Sequence, residues 1–315
     1  MELIKDKKLD SLTNFKIGGK ADYFVEIENF KDLLDFYLWK KEKKSPIFIL
    51  GGGTNILIDD FKGVVVKNSI KDIREIEEGI IKVSSGVLVS DLLNLTIEKG
   101  YQGLEWAGGL PGTVGGAIEG GVGCFGGEFK NLVLEVEAFN LENGEMKVFK
   151  KEDCNFFYRD SFFRKNKKWF IISTVLSFKT NFNKDELRKI AEEKIQYRKE
   201  KHPIEYPNAG SIFKNYPLEK APEKLKNFVI EMNKVKDDPF PVIPIAFLIS
   251  EAGLKGKRIG DAQISFKHSN FIVNLSKATF KDVFNLIELV KKTLEDKFEI
   301  IPEVEIKIIS DRFNF

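Results

Sequence analysis

The sequence predicts an α+β protein of more than one lobe, and three observations support this fold class. The chain has 315 residues, of which 43% are hydrophobic and 12% aromatic, so it is too long for one small core and apolar enough to fold. Short runs of β-branched and aromatic residues alternate with stretches that have the apolar period of a helix. Two glycine-rich stretches, residues 51–55 and 108–116, interrupt this pattern and predict backbone turns.

The first predicted lobe, residues 1–70, consists of strands around one helix. We expect strands at 23–25, 47–50 and 64–66, because these runs are short and apolar. Asn29 is expected to cap the helix, with Asp32 in its first turn. The apolar stripe expected on this helix comprises Phe30, Leu33, Leu34, Tyr37 and Leu38.

Strands dominate the second predicted lobe, residues 71–200. Runs rich in β-branched residues predict strands at 80–83, 132–136 and 170–176. A helix is expected from Ser90 to the residue before Gly100, and the second glycine-rich stretch follows it. A charged helix over 184–200, capped by Asn183, could connect this lobe to the next.

The third predicted lobe, residues 201–299, ends in an amphipathic helix over 279–297. Five prolines within residues 216–244 predict irregular structure around one short helix. The alternating run 304–308 predicts a half-exposed strand, and the terminal segment 300–315 could return to the first lobe.

The two glycine-rich stretches predict a cradle for the diphosphate of a nucleotide cofactor. Residues without Cβ let backbone N–H groups approach an anion closely, and hydroxyl and amide side chains can add further bonds. The dinucleotide-binding turn is excluded because Ile56 stands where its third glycine belongs, and no glycine-lysine pair has the Ser or Thr of a P-loop. Tight turns without a ligand are the alternative interpretation. The candidate cofactor contacts are Gly51, Gly52, Gly53, Thr54, Asn55, Gly108, Gly112, Thr113 and Gly116.

The composition excludes several classes of function. Fifty Lys and Arg against 48 Asp and Glu leave a net charge of +2, too small a field to expect a nucleic-acid partner. Cys124 and Cys154 cannot form a disulfide framework, so a reducing cytoplasm is expected. His202 and His268 lack neighbouring cysteine ligands, so no metal site is expected, and no run is apolar enough for a membrane span.

Three polar groups of residues are candidates for chemistry. The run 158–161 places Arg159 between phenylalanines, where Asp160 or an anionic ligand could be its partner, with a structural ion pair as the alternative. The run 207–215 places Ser211 before Lys214 and Asn215, but no hydrolase elbow is present, and a turn capped by Ser211 is the alternative. Glu303 precedes the last expected strand.

Taken in order, these groups resemble the UDP-N-acetylenolpyruvoylglucosamine reductase family, in the subclass that lacks a tyrosine loop. The resemblance covers roughly residues 12–309 and is carried by residues 15–22, 51–55, 103–118, 158–161, 208–215, 252–256, 262–263, 267–268, 271–274 and 302–304. It implies an FAD-binding fold of the vanillyl-alcohol-oxidase (PCMH) type in two subdomains, followed by a C-terminal α+β substrate-binding domain. Two departures from the family pattern are the segment 119–126 and the long stretch 216–244, which has no evident role.

The resemblance also implies a reaction and its residues. NADPH would reduce non-covalently bound FAD, which would pass hydride to UDP-N-acetylglucosamine enolpyruvate and yield UDP-N-acetylmuramate. Arg159 would stabilise the enolate, Ser211 would protonate it and Glu303 would assist. Alternatives are another flavin oxidoreductase of this fold, acting on an alcohol or sugar, and a binding protein without catalysis. A monomer is expected, and the residues expected to contact substrate are Tyr158, Lys214, Asn215 and Gln263.

Overall fold

The computed structural model describes residues 1–311; residues 312–315, the end of the expected C-terminal segment, lie outside the described part. Residues 1–311 form α-helices α1 (Phe30–Glu42), α2 (Val89–Lys99), α3 (Val114–Gly120), α4 (Phe162–Lys165), α5 (Lys184–Lys201), α6 (Glu223–Glu231), α7 (Ile245–Glu251) and α8 (Phe280–Phe298). The strands are β1 (Leu3–Lys8), β2 (Lys20–Ile27), β3 (Ile47–Leu50), β4 (Ile56–Ile58), β5 (Phe61–Asn68), β6 (Ile73–Glu77), β7 (Ile80–Ser84), β8 (Gly123–Cys124), β9 (Gly127–Glu128), β10 (Val133–Asn140), β11 (Met146–Lys150), β12 (Trp169–Ser177), β13 (Asn208–Ser211), β14 (Tyr216–Pro217), β15 (Lys236–Asp237), β16 (Pro241–Ile243), β17 (Arg258–Ile259), β18 (Ala262–Ile264), β19 (Phe271–Asn274) and β20 (Lys307–Ile309).

The chain divides into two compact units, each assembled from more than one stretch of sequence. Unit 1 comprises Met1–Lys7, Ala21–Gly53 and Phe61–Gln196. Unit 2 comprises Lys8–Lys20, Thr54–Asp60 and Tyr197–Phe315. The three-lobe boundaries expected from the sequence stay a prediction. None of the helices in residues 1–311 is both long and apolar enough to span a bilayer.

Unit 1 begins with a small sheet in the order β1-β2-β5-β3, in which β5 lies parallel to both β2 and β3. The expected cap of α1 is confirmed, because Asn29 accepts a hydrogen bond of 3.0 Å from the Asp32 backbone. The expected apolar stripe is wrong in part. Leu33 and Phe36 are the buried residues of α1, whereas Phe30, Leu34 and Leu38 are exposed.

A five-stranded antiparallel sheet in the order β11-β10-β12-β7-β6 completes unit 1 and confirms the strands expected in this region. Helix α2 packs its buried leucines into the same core. It begins at Val89, one residue before the expected Ser90, and Leu88 at the cap makes no side-chain hydrogen bond. Gly100 ends it in the left-handed conformation, with φ 69°.

Helix α8 covers the sheet of unit 2 that has the order β13-β19-β18-β17. Thr279 and Asp282 form a capping box at its start, which confirms the helix expected there. The stretch 216–244 is more regular than expected, since β14, β16 and β15 form a small sheet beside α6. These strands have only two or three residues each, too few for a sequence period to reveal.

The C-terminal strand starts later than the expected residue 304. Strand β20 begins at Lys307 and lies parallel to β4, while Val304 forms only an isolated bridge with Phe213. Within unit 2, the end of the described chain is therefore paired with residues that directly follow the first glycine-rich stretch.

The two histidines of the chain meet inside unit 2. The rings of His202 and His268 lie edge to face with centroids 5.4 Å apart, and both contact the Phe271 ring. Burial lowers the pKa of His202 to about 4, and the charge of His268 acts in the same direction. Burial likewise lowers the pKa of His268 to about 4, with a contribution from Lys236. Both rings are therefore neutral at neutral pH.

We predict that acid destabilises unit 2 through these histidines before its carboxylates titrate. The unfolded chain takes up protons at its histidines near the ordinary pKa of 6.5, whereas the folded chain takes them up near 4, so folding free energy is lost as the pH falls between these values. Urea unfolding at about pH 7.5 and about pH 5 measures this loss. The variant His202→Phe, which keeps an aromatic ring, should lose less stability over the same interval. An equal loss in the variant would contradict this origin.

Candidate active site

In unit 1, Gly51 and Gly52 of the first glycine-rich stretch lie against Gly112 and Thr113 of the second. A Cβ added to Gly52 would lie 2.9 Å from the Gly112 Cα, and one added to Gly51 would lie 2.9 Å from the Thr113 Oγ1. A side chain at Gly52 would require a shift of the Gly112 backbone, and one at Gly51 would require the Thr113 side chain to move. The backbone hydrogen bonds of residues 1–311 include none donated by Gly52, Gly53 or Gly112. The stretches thus form a backbone-lined concavity of the kind that suits phosphate oxygens.

The second glycine-rich stretch continues into helix α3. The Thr113 hydroxyl accepts a hydrogen bond of 3.4 Å from the Gly116 N–H, so this side chain caps the helix. A Cβ on Gly115 would lie 2.7 Å from that of Ser85, which is a close approach of α3 to the large sheet. Gly108 faces the Ala191 carbonyl of α5, where a Cβ would lie at 2.1 Å. Gly108 and Gly115 therefore also allow close packing of their backbone against Ala191 and Ser85.

Thr54 and Asn55, the last residues of the first stretch, belong to unit 2. The Asn55 carbonyl accepts a hydrogen bond of 3.0 Å from the Lys307 N–H. Its side-chain amide donates one of 3.5 Å to the Glu305 carbonyl. These bonds fix the exit of the glycine-rich stretch to the C-terminal strand.

Arg159 of unit 1 lies in a tight turn with φ 55°, and its guanidinium lies over the Tyr158 ring, 5.1 Å from the centroid. Asp160, expected as a partner of Arg159, forms an ion pair of 2.6 Å with Lys165. The Ser161 hydroxyl donates to the Glu119 carbonyl at 2.8 Å. The turn is thus tied to the segment 119–126, the same segment that departs from the family pattern.

Ser211 of unit 2 ends strand β13, opposite Phe271 of β19. Gly210 before it has φ 78°, which favours glycine, and its N–H donates to the Asn208 side chain at 2.9 Å. The hydrogen bonds of residues 1–311 include none from the Ser211 hydroxyl, so the alternative of Ser211 as a local cap has no support.

Asn270 holds the backbone directly after Ser211. Its carbonyl accepts from the Ile212 N–H at 2.8 Å, and its side chain accepts from the Phe213 N–H at 3.0 Å and donates to the Phe213 carbonyl at 2.8 Å. Asn270 is 4% exposed, so these bonds are shielded from water. Sequence reasoning missed this residue, which lies between two motifs of the resemblance, 267–268 and 271–274.

Glu303 and Lys214 form an ion pair of 2.5 Å beside the Ser211 strand. Asn215 accepts from the Ile245 N–H at 3.3 Å and so fixes the start of α7. Gln263 donates to the Gly256 carbonyl at 3.1 Å. Unit 2 therefore brings Lys214 and Glu303 together, and its two other expected substrate contacts, Asn215 and Gln263, also have structural partners.

Comparisons with known proteins find matches over most of the chain. A family model described as an FAD binding domain matches residues 21–150, and one described as the UDP-N-acetylenolpyruvoylglucosamine reductase C-terminal domain matches residues 202–309. The enzyme of that name from Caldanaerobacter subterraneus subsp. tengcongensis is 36% identical over 99% of this chain and 97% of its own. This chain belongs to the UDP-N-acetylenolpyruvoylglucosamine reductase family.

Two further members of the reductase family support the match. The reductase of Fusobacterium nucleatum subsp. nucleatum is 34% identical, covering 91% of this chain and 92% of its own. The crystal structure of the reductase from Thermus caldophilus has a TM-score of 0.75 and 27% identity, with 98% of each chain covered. The expected family, the α+β fold class and the FAD-binding domain are confirmed.

We predict that Gly52→Ala weakens FAD binding while the fold is retained. The added Cβ would lie 2.9 Å from the Gly112 backbone and would push the two glycine-rich stretches apart. We expect an affinity loss of about 10-fold or more, equivalent to about 1.4 kcal/mol, measured by flavin titration of the deflavinated protein.

Gly120→Ala is the matched control. Its Cβ would have its nearest contact at 3.5 Å, and the residue lies in helix α3. Unchanged flavin affinity in Gly52→Ala, or an equal loss in Gly120→Ala, would contradict the cradle.

Proposed function

We propose that this chain catalyses the NADPH-dependent reduction of UDP-N-acetylglucosamine enolpyruvate to UDP-N-acetylmuramate, a step of peptidoglycan precursor synthesis. The observation that carries the proposal is the pairing of residues 212–214 with 303–305, which places Glu303 beside the chain that bears Ser211. Relatives that carry the name of this reductase align with almost the whole chain.

The residues of the cradle fit FAD. The diphosphate would be held by the backbone of Gly51, Gly52, Gly53 and Gly112. Because Gly52 has no Cβ, the two glycine-rich stretches can approach each other closely there. Thr54, Asn55, Gly108, Thr113 and Gly116 are the further contacts we propose. Bound FAD would supply the hydride transfer between NADPH and the enolpyruvyl double bond. The protein contributes orientation, charge and a proton.

Arg159 supplies positive charge in the proposed reaction. Hydride addition to the carbon β to the substrate carboxylate builds an enolate, and a guanidinium held in a fixed direction stabilises that charge. The stack on Tyr158 and the tie between Ser161 and Glu119 restrict the turn that carries Arg159. Such restriction lowers the reorganisation required during the reaction.

Ser211 is the proton donor of the proposal. The α carbon of an enolate is strongly basic, so a hydroxyl of ordinary acidity can protonate it when the geometry is fixed. Asn208 and Asn270 fix the backbone on either side of Ser211. The alkoxide that this transfer leaves on Ser211 would regain a proton from solvent, and Glu303 would assist by relaying that proton to it.

For substrate binding, we name residues without assigning each one to a part of the UDP-sugar. We propose Tyr158, Asn215 and Gln263 as contacts of the UDP-sugar, in line with their place in the family motifs. Helix α5 runs without interruption from Lys184 to Lys201, which supports the subclass without a tyrosine loop. The cytoplasmic location and the monomeric state stay predictions.

An anaerobic stopped-flow experiment tests the function. NADPH is added to the purified flavoprotein, followed by UDP-N-acetylglucosamine enolpyruvate, while the flavin absorbance is recorded. We expect the first addition to bleach the flavin and the second to restore its absorbance without oxygen. Bleaching that only oxygen reverses would refute the substrate, and protein that neither retains nor takes up FAD would refute the cofactor site.

A further inference from the structure

Lys214 and Glu303 differ sharply in exposure. The Lys214 side chain is 12% exposed, whereas that of Glu303 is 71% exposed, although Nζ and Oε1 lie 2.5 Å apart. Other lysines of unit 2 that form ion pairs expose 27% or more of their side chains: Lys226, Lys267, Lys291 and Lys292. The ammonium group of Lys214 is thus the fixed member of its pair, and the carboxylate is the member that faces outward.

Main-chain hydrogen bonds alone place Lys214 and Glu303 opposite each other. The Lys214 N–H donates to the Glu303 carbonyl at 2.9 Å, and the Glu305 N–H donates to the Ile212 carbonyl at 2.8 Å. Phe213 and Val304 form the antiparallel bridge between these bonds. Residues 214 and 303 therefore face each other at a register that the main chain fixes.

The main effect of the ion pair is to restrict the rotamers of Glu303, because its net contribution to the stability of the fold is small. An exposed glutamate on its own samples several rotamers, and an exposed ion pair contributes little net stability. Lys214, in contrast, has a side chain that is only 12% exposed, so little water can solvate its charge and loss of its partner is costly. Among residues 1–311, Glu303 is the carboxylate within ion-pair distance of Lys214. Lys214 therefore selects the orientation of the Glu303 carboxylate.

We infer that Lys214 is a positioning residue, which holds the Glu303 carboxylate in its working orientation, and that it does not bind the diphosphate of the substrate. This inference rests on the proposed function, in which Glu303 assists protonation of the enolate. It replaces the substrate-binding role expected for Lys214 from the sequence. The two roles differ in the kinetic constant that each would change.

A double-mutant cycle on the holoenzyme tests the inference. Lys214→Met, Glu303→Gln and the double variant are reduced with NADPH without oxygen, and reoxidation by saturating UDP-N-acetylglucosamine enolpyruvate is followed. We expect Lys214→Met to slow reoxidation about 10- to 100-fold, as misplacement of a reacting group does. The double variant should be no slower than Glu303→Gln, because Lys214 acts through Glu303. Lys214→Arg, which keeps the charge, should recover part of the rate.

Substrate affinity separates the two roles. The substrate Kd, measured from the perturbation of the oxidised flavin spectrum, should be unchanged within about 3-fold in Lys214→Met. A raised Kd with a normal reoxidation rate would overturn the inference in favour of diphosphate binding. Additive losses in the double variant would overturn it as well. A wild-type enzyme that the substrate does not reoxidise would instead refute the proposed function itself.

Two further variants control for structural damage. Lys291→Met removes the ion pair of 2.8 Å between Lys291 and Glu288 on α8, and it should leave both rate and Kd unchanged. If Lys214→Met does not fold, Lys214→Gln and Lys214→Arg give the same comparison with a polar side chain in place. A rate as low in Lys214→Arg as in Lys214→Gln, with intact flavin content, would contradict a role for the charge.

Discussion

Backbone pairing on both sides of residues 303–309 is the constraint on which the rest of unit 2 depends. On one side, Glu303 and Glu305 exchange main-chain hydrogen bonds with Lys214 and Ile212, beside the strand that carries Ser211. Farther along, Lys307 donates to the Asn55 carbonyl, and β20 continues parallel to β4. The C-terminal segment thereby joins the candidate acid–base groups to the exit of a glycine-rich stretch. These pairings close long loops, so they form only when the whole unit folds.

The elements with strong local signals could be predicted from the sequence. Helices α1 and α8 follow directly after Asn29 and Thr279, whose side chains cap them as their residue types indicate. Three strands of the five-stranded sheet, β7, β10 and β12, follow from runs rich in β-branched residues. Strands β14 to β16 could not be predicted, because a strand of two or three residues owes its existence to its partners. The late start of β20 also depends on pairing partners, because Val304 forms an isolated bridge with Phe213 instead of joining the strand.

The candidate site was predictable in its residue types and not in its internal contacts. Glycines that allow close backbone approach, and a serine after a small-residue turn, are visible in one sequence. The approach of Gly52 to Gly112 is a long-range contact and needed the structure. The two hydrogen bonds between the Asn270 side chain and the Phe213 backbone also join distant residues. A single buried asparagine produces no periodic pattern in the sequence, so these bonds could not be predicted. The ion pair between Lys214 and Glu303 shows the same limit, because it also joins residues that are distant in the sequence.

In the proposed reaction, Ser211, held between Asn208 and Asn270, delivers the proton that completes the reduction. The decisive experiment is to measure the two half-reactions of Ser211→Ala separately under anaerobic conditions. We expect flavin reduction by NADPH to stay nearly at the wild-type rate, while reoxidation by UDP-N-acetylglucosamine enolpyruvate slows by about 10²- to 10⁴-fold, the contribution of a positioned proton donor. An equal loss in both half-reactions, or an unchanged reoxidation rate, would contradict it.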